Sequence, residues 1–410
     1  MDLEMRPILD EEYPVYSRTI EAAFGHLSTD KSVEEWRPLF ERDRSLAVFD
    51  AGEVVATAGA FSFDLTLPGG TTTPTAGVTA VGVRSTHRRR GLLTAMMRRQ
   101  LDDVAERGEA VAILTASEGV IYGRFGYGLA CSNGFWQLAT AGTVLARPPR
   151  ADGRLAVVDS ATAAKTVPGV SEQARFRHAG ALRRTPGWWE RWFLDREPWR
   201  DGASARFYVV HISAAGEADG FAGYRIKHDP WRHGLPGNTL VVDELDATDD
   251  EVEAALWQYL IDVDLVATVK AVGRPVDEPL RWRLADPRRL SVTDVIDHLW
   301  VRVLDVPRAL EARRYGTQDR FVLEVSDDFR PAGAGRYLVE GGPDGASCRR
   351  TDDEADLALS VVDLGALYLG GASPTVLARA GRIVERAPGA LRRADVFFPA
   401  SPAPWCCTDF

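Results

Sequence analysis

Three consecutive arginines followed by a glycine stand between two apolar segments of this 410-residue chain. The stretch VGVRSTHRRRGLLTAMM, Val81 to Met97, has the alternation of a strand before the arginines and helical apolar spacing after them. A glycine at a strand-to-helix turn lets backbone N–H groups approach an anion, and the helix N-terminus adds partial positive charge. Forked guanidinium donors suit phosphate oxygens. The spacing predicts a diphosphate-binding loop or, equally well, a basic helix cap on a solvated surface.

Two phenols lie close together in the segment EGVIYGRFGYG, at Tyr122 and Tyr127. With an unperturbed pKa of about 10, a tyrosine is protonated at neutral pH and can give a proton to a departing group. Buried tyrosines are also common in aromatic turns, so each phenol fits a place in the core as well. The residues alone leave both roles open.

The last segment of the sequence, PAPWCCTDF, is unusually apolar for a chain terminus. Terminal residues usually fray, but Trp405 and Phe410 predict that this segment docks onto the protein. The four cysteines, at positions 131, 348, 406 and 407, show no C-x-x-C spacing and no histidine partners at metal-binding intervals. The pattern predicts neither a metal site nor a disulfide framework and is typical of a reducing cytoplasm.

Composition narrows the classes of partner. The chain has a net charge of −10, which disfavours binding to the phosphate backbone of nucleic acids. An acidic surface attracts cationic small molecules or basic peptides, although solubility alone also explains such a charge. The N-terminal stretch MDLEMRPILDEEYP is charged and is not a signal peptide, and no apolar run is long enough to span a membrane. We therefore expect a cytoplasmic protein with neither a nucleic-acid nor a membrane partner.

The elements that would hold the arginine loop form one mixed α/β domain over residues 1–140. A short edge strand is followed by a helix over Asp10–Phe24, a hairpin, the strand GVTAVGV, a helix over Leu92–Glu106 and the strand AVAILTAS. A chain of this length predicts two or three such domains.

A second region, residues 141–295, partly repeats this order. NTLVVDELDATDDEVEAALWQYLIDV predicts a strand, a turn with a capping box at Thr248 and Glu251, and an amphipathic helix, but its turn lacks arginine and glycine. This pattern indicates a degenerate duplication. The helical aromatic stripe TPGWWERWFLDREPW favours core or subunit packing over a functional aromatic box.

The remaining region, residues 296–410, has a different pattern. FVLEVSD, YLVEGG and LALSVV predict strands of an antiparallel sheet, and VDLGALYLGG and SPTVLARAGRIVE predict helices packed against it.

Several of these segments resemble one enzyme family. HRRRGLL resembles the R-x-x-G-x-[GA] pyrophosphate loop of the GNAT acetyltransferases, with Arg88 first, Gly91 as the glycine, and Leu93 where most members have Gly or Ala. Together with ASEGVIYGRFGYG, LEVSD, LGALYLGG and the aromatic Phe410, it resembles the Eis (enhanced intracellular survival) family of aminoglycoside N-acetyltransferases over the whole chain.

This resemblance implies an α/β (α+β) fold of three domains. They are an N-terminal GNAT domain (1–140), a central GNAT-like domain without a cofactor loop (141–295), and a sterol-carrier-protein-like domain (296–410). It also implies a homohexamer and acetyl-CoA as co-substrate, with no metal.

The resemblance also assigns roles to residues. It implies that a splayed strand before the loop binds the pantetheine arm, the loop binds the pyrophosphate, and two further positions contact the cofactor. The implied acetyl-CoA contacts are Val81, Gly82, Val83, Arg88, Arg89, Arg90, Gly91, Leu92, Leu93, Thr94, Ser117 and Glu118.

For catalysis, the resemblance implies that Tyr122 is the general acid and that the terminal carboxylate of Phe410 is the general base. A carboxylate with a pKa of about 3.5 is a weak base, so desolvation or a relayed water must assist it. Phe24, His26, Trp36 and Asp409 are the implied substrate contacts. His26 stands where the type member has an acidic residue, and Thr115 stands where it has a histidine.

Three functions follow as alternatives. The first is acetylation of aminoglycoside amines at one or several positions, in keeping with the acidic balance. The second is acetylation of another amine, such as a protein lysine, a peptide antibiotic or a natural product, and His26 is its main support. The third is a non-catalytic lipid-binding scaffold, against which the intact arginine loop and Tyr122 argue.

Overall fold

The computed structural model describes residues 3–231 and 233–410 and divides into two compact units. The first unit holds the chain up to Cys131 together with Asp297–Ala400 and Asp409–Phe410, and the second holds Ser132–Ile296 and Ser401–Thr408. Within the described residues, no helix has both the length and the hydropathy needed to cross a bilayer.

The strands are numbered along the chain: β1 Leu3–Arg6, β2 Leu46–Asp50, β3 Glu53–Thr66, β4 Thr72–Val83, β5 Val111–Thr115, β6 Gly128–Leu129, β7 Ser132–Ala139, β8 Gly153–Val158, β9 Phe207–Ser213, β10 Ala218–Lys227, β11 Asn238–Ala247, β12 Val266–Pro275, β13 Leu290–Asp297, β14 Leu299–Val303, β15 Asp319–Ser326, β16 Gly335–Gly342, β17 Gly345–Arg350, β18 Leu357–Ser360 and β19 Ile383–Glu385. The α-helices are α1 Tyr13–Ala23, α2 Asp30–Trp36, α3 Leu92–Glu106, α4 Gly119–Tyr122, α5 Ser160–Ala174, α6 Pro186–Phe193, α7 Asp250–Ile261, α8 Leu280–Arg283, α9 Val306–Ala312, α10 Val361–Tyr368, α11 Pro374–Arg379 and α12 Ala390–Phe397.

The first unit contains a seven-stranded sheet in the order β1-β2-β3-β4-β5-β14-β6. Its pairs are antiparallel except for β4 and β5, which run parallel and are connected by helix α3. Helix α3 buries Met97, Leu101 and Val104 against Val78 and Leu114 of the sheet. The apolar spacing that predicts this helix is therefore the spacing of its core-facing residues.

Strand β4 has two irregularities that shape the surface beside it. Opposite Ala58 of β3 it carries an extra residue, because Thr57 pairs with Gly82 while Gly59 pairs with Thr79, and Ala80 takes a φ of 57°. Its parallel pairing with β5 extends from Thr75 to Gly77 and no further, although β4 continues to Val83. The two strands therefore separate into a fork, as the family resemblance implies, and a bulge bends β4 beside it.

The second unit contains a seven-stranded sheet in the order β13-β7-β12-β11-β10-β9-β8. One of its core clusters contains Trp189 of α6, with Trp192 and Phe193 packed against it, which confirms the prediction that the aromatic stripe packs in a core. The predicted strand–turn–helix is present as β11 and α7. The predicted capping box at Thr248 is wrong, because Asp249 is the N-cap and accepts the N–H groups of Glu251 and Val252. Its carboxylate reaches those orphan donors.

A five-stranded sheet in the first unit has the order β17-β16-β15-β18-β19. The prediction of an antiparallel sheet is wrong for β15 and β18: the hairpin β16–β17 occupies one edge of β15, and β18 joins the other edge in the parallel direction. The predicted helix over SPTVLARAGRIVE is also too long. It ends at Arg379, Gly381 takes a φ of 75°, and the chain continues as β19.

Candidate active site

A cleft of about 510 Å³ lies beside the fork in the first unit. Strand β4, the arginine loop, the first turn of α3 and the segment after β5 form its walls. It brings together all but one of the predicted cofactor contacts, and the predicted acid: Val81, Gly82, Val83, Arg88, Arg89, Gly91, Leu92, Leu93, Thr94, Ser117, Glu118 and Tyr122. The exception is Arg90, whose guanidinium donates to the carbonyl of Thr86 at 3.0 Å.

The loop has the backbone of an anion cradle. Arg89 and Gly91 take left-handed conformations with φ values of 61° and 81°, and Gly91 is the N-cap of α3. The N–H of Ala95 makes the first hydrogen bond of the helix, to the carbonyl of Gly91. The three N–H groups before it, at 92–94, therefore lack a partner in the helix and lie at its positive end. Such an arrangement suits an anionic ligand.

Two polar side chains that line this cleft were missed by the sequence reasoning. His87 lines it, with its Nε2 3.1 Å from Oδ2 of Asp50. Arg124 also lines it, and its guanidinium lies 4.8 Å above the ring of Phe125. Both lie in the segments that carry the family resemblance, so their positions there were the available signal.

Tyr122 is the phenol that reaches the cleft. It ends helix α4 and is buried, and burial, followed by the nearby charge of Glu118, raises the pKa of its hydroxyl above the ordinary 10.0. Tyr127 packs edge-on at 6.0 Å, is fully buried and does not line the cleft. Its hydroxyl has no hydrogen-bond partner among the described residues. The geometry thus separates the two tyrosines that the sequence leaves equivalent.

A second cavity of about 340 Å³ adjoins the β4 bulge, where Thr79 and Ala80 line it. Phe24 belongs to both cavities. The second cavity, called the aromatic cavity below, is lined by seven aromatic residues: Tyr13, Tyr16, Phe24, Trp36, Phe40, Phe61 and Phe410. Three of the predicted substrate contacts, Phe24, His26 and Trp36, are therefore brought together.

Asp409, the fourth predicted substrate contact, lies outside both cavities. Its side chain is 91% exposed, and its carboxylate is 3.8 Å from Nδ1 of His298. Sequence reasoning missed two other carboxylates that do line the aromatic cavity, those of Glu21 and Glu41. Glu41 is held by the N–H and the hydroxyl of Ser62, each at 2.6 Å. Because β3 supplies that partner from a distant part of the chain, no local pattern indicates it.

Phe410 lies in the aromatic cavity with its carboxyl toward β5. Its main-chain oxygen accepts a hydrogen bond from Oγ1 of Thr115 at 3.2 Å, and its ring centroid lies 5.0 Å from that of Phe63. The predicted docking of the terminal segment is confirmed in the second unit as well. There Trp405 is buried and donates from its indole nitrogen to the carbonyl of Gly273 at 2.6 Å.

A buried polar cluster in the second unit holds the same segment. Arg184 donates to Glu244 at 2.8 Å, to the hydroxyl of Thr408 at 3.0 Å and to the carbonyl of Cys407 at 3.1 Å. Glu244, Asp246 and Cys407 bring possible metal-ligand atoms within 4.8 Å of one another. The Arg184 guanidinium is the cation that this cluster contacts, and the absence of a metal from the protein stays a prediction.

Comparison with known proteins adds independent observations. Family models of an acetyltransferase (GNAT) domain match residues 4–130 and 180–303, and one of a sterol carrier protein domain matches residues 306–407. These matches confirm the predicted fold class and the order of the three domains. The predicted boundaries after residues 140 and 295 stay predictions.

Whole-length relatives agree with these matches. An uncharacterized N-acetyltransferase of Streptomyces avermitilis is 43% identical over 415 residues, covering 99% of each protein. The N-acetyltransferase Eis of Mycobacterium tuberculosis is 32% identical over 412 residues, covering 95% of each. The crystal structure of Eis1 from Mycobacterium abscessus has a TM-score of 0.88 at 35% identity, over 99% of this chain and 100% of that one.

Proposed function

Because the chain belongs to the Eis family of N-acetyltransferases, we propose that it transfers the acetyl group of acetyl-CoA to amines of aminoglycoside antibiotics. One observation carries the proposal: a cleft with an anion cradle and an aromatic cavity adjoin the same bulged strand and share Phe24. A thioester bound in the cleft can therefore meet an amine bound in the adjoining aromatic cavity. The non-catalytic scaffold is set aside, because the family consists of acetyltransferases.

The cofactor half of the site supports acetyl-CoA. The N–H groups at the start of α3 and the guanidinium groups of Arg88 and Arg89 would bind the pyrophosphate. The edge of β4 that lacks a strand partner after Gly77 offers its backbone, over 81–83, to the amide groups of the pantetheine arm. Such pairing would place the thioester at the bulge, next to the aromatic cavity.

Proton transfer requires one acid and one base. In the proposed reaction, the neutral amine nitrogen attacks the thioester carbonyl carbon, an N–C bond forms and the C–S bond breaks. The terminal carboxylate of Phe410 takes the proton from the nitrogen. Tyr122 gives its phenolic proton to the departing thiolate, and its raised pKa keeps that proton in place at neutral pH.

A second acceptor class has specific support. His26 lines the cavity where the resemblance implies an acidic residue, and Asp409 lies outside it. The aromatic walls favour an apolar body on the acceptor, while the carboxylates of Glu21 and Glu41 on the same cavity can attract its ammonium group. An amine on a less hydroxylated body, such as a peptide lysine or a natural-product amine, is therefore the alternative acceptor.

One assay separates these acceptors. Purified protein is mixed with acetyl-CoA and release of free thiol is followed with kanamycin-type aminoglycosides, lysine peptides and simple amines. Turnover with the aminoglycosides supports the first proposal, and turnover with other amines alone supports the second. Absence of thiol release with every acceptor, together with absence of coenzyme A binding, would contradict both. The homohexamer, the cytoplasmic location and the lack of nucleic-acid or membrane partners stay predictions for separate tests.

A further inference from the structure

Phe410 sits at the apex of the fork between β4 and β5. Gly77 of β4 and Ile113 of β5 are the last paired residues of these strands. A Cβ atom at Gly77 would lie 3.0 Å from Cε2 of Phe410, so the Phe410 ring packs directly against this glycine. Thr115, two residues beyond Ile113, donates its hydroxyl to the main-chain oxygen of Phe410. Both arms of the fork therefore contact the same residue.

The ring contacts fix the side chain of Phe410 but leave its carboxyl free to rotate. Phe63 packs against the ring with a centroid distance of 5.0 Å, and a Cβ at Gly77 would overlap Phe63. Glycine at this position makes room for both rings. A terminal carboxyl, however, rotates about the bond to its own Cα, and ring packing does not restrict that rotation. A hydrogen bond to one carboxyl oxygen does restrict it.

We propose that Thr115 is a positioning residue that orients the carboxylate of Phe410 for proton abstraction, and that Gly77 provides the space in which the Phe410 ring is seated. The inference rests on the proposed function, because it assigns a partner to the base of that reaction. With one carboxylate oxygen held by Thr115, the second oxygen is presented to the amine. The hydroxyl does not touch the amine or the thioester and acts through Phe410 alone.

Two substitutions isolate the hydroxyl. Thr115→Val keeps the shape of the side chain and removes the donor, whereas Thr115→Ser keeps the donor and removes the methyl group. We expect Thr115→Val to lower kcat by about 10- to 100-fold, because small misplacements of a reacting group cost that much. The KM for acetyl-CoA should stay within about twofold, since Thr115 does not line the cofactor cleft. Thr115→Ser should recover most of the lost kcat.

Thr75→Val is the matched control. Thr75 also lies at the β4–β5 pair, is buried, and donates its hydroxyl to the carbonyl of Val111 at 3.0 Å, whereas the hydroxyl of Thr115 donates to Phe410. We expect this variant to lose thermal stability while keeping the wild-type kcat. A general effect of losing a buried hydroxyl is thereby separated from the positioning effect.

The outcomes distinguish a failure of this inference from a failure of the proposed function on which it rests. Folded Thr115→Val with wild-type kcat, or Thr115→Ser as slow as Thr115→Val, overturns the positioning role. Full activity of a protein extended beyond Phe410 would exclude the Phe410 carboxylate as the general base, whatever the results for the Thr115 variants. If Thr115→Val proves unstable, Gly77→Ala provides a second test. It should lower kcat and leave coenzyme A affinity, measured by calorimetry, unchanged, and an unaltered kcat would also overturn the inference.

Discussion

Gly77 and Ile113 form the last residue pair between the parallel strands β4 and β5, and β4 then continues to Val83 without that partner. On its other edge β4 remains paired with β3 up to Val83. One edge of the strand is thus held by the sheet while the other presents its backbone groups to the cleft. This asymmetry explains how a strand in the middle of a sheet can also bind an extended ligand.

The arginines of the loop should contribute unequally to coenzyme A affinity. Arg89 lines the cleft, whereas the guanidinium of Arg90 is turned to the carbonyl of Thr86. A hydrogen bond to a charged group contributes about 1.5–3 kcal/mol, so Arg89→Gln should raise the Kd for coenzyme A by roughly 10- to 100-fold. Arg90→Gln should raise it less. Titration calorimetry at one fixed ionic strength measures both values.

Arg99→Gln is the charge-matched control for these measurements. Arg99 lies farther along α3, pairs with Asp103 at 3.2 Å and does not line the cleft. Its removal should leave the Kd within about twofold at moderate salt, where exposed charges are screened beyond roughly 10 Å. Equal losses for all three variants would indicate a general charge effect and would contradict a specific phosphate contact at Arg89.

The two neighbouring tyrosines should give opposite results when their hydroxyl groups are removed. Tyr122→Phe should lower kcat by about 100-fold, within the range for general acid catalysis, with coenzyme A affinity unchanged. Tyr127→Phe should keep kcat and should not lower stability, because the hydroxyl it removes is buried without a partner among the described residues. Steady-state kinetics and thermal melts test the pair, and an active Tyr122→Phe protein would exclude this acid.

The pH dependence of kcat should reflect the environment of Tyr122. Burial raises the pKa of this phenol above the ordinary 10.0, so the acid form persists to a higher pH than in a free tyrosine. We therefore expect the midpoint of the alkaline decline of kcat to lie above the ordinary phenol pKa of 10.0, as far as the protein remains folded. A decline centred near neutral pH that is absent in Tyr122→Phe would contradict the direction of this shift.

Features that depend on neighbouring residues could be predicted from the sequence, and features that depend on distant residues could not. The arginine loop, the start of α3 at Leu92 and the tyrosine segment follow from neighbouring residues, and the structure places them in one cleft. The pairing of strands that lie far apart in the chain could not be predicted from the sequence. Strand β14 joins the first sheet between β5 and β6, although about 185 residues of chain separate it from β5. The position of the Glu41 carboxylate could not be predicted either, because it is held by the hydroxyl of Ser62 on strand β3.

Glu253 should make the stability of the second unit fall as pH rises. Burial and the charge of Glu278 raise its pKa from 4.5 to about 8. Between those values the folded protein binds more protons than the unfolded chain, so the free energy of unfolding decreases with rising pH. Glu253→Gln mimics the protonated form and should flatten this decrease, with a gain of roughly 1–3 kcal/mol above pH 8.

Glu251→Gln, on the same helix, should act in the opposite direction. Hydrogen bonds from the N–H of Arg150 and from Arg283 lower the pKa of Glu251. Its contribution is present at neutral pH and disappears as pH falls through its folded-state pKa, so the variant should be less stable at pH 7 and equal to wild type in acid. Chemical denaturation at pH 5, 7 and 9 compares the two variants, and a further series below pH 4.5, the ordinary pKa of Glu251, tests its convergence with wild type. The same pH profile for Glu253→Gln and wild type would contradict the raised pKa.

The last carboxylate of the sequence offers a test by displacement. Adding one glycine after Phe410 keeps a terminal carboxylate but moves it along the chain by about 3.3–3.6 Å. Since misplacing a reacting group by about 1 Å can cost 100-fold, we expect at least that loss in kcat, with coenzyme A affinity preserved. The same glycine added before Met1 is the control and should leave kcat unchanged. Because Phe410 keeps its ring contacts with Phe63 in the extended protein, full activity there would show that the reaction does not use this carboxylate.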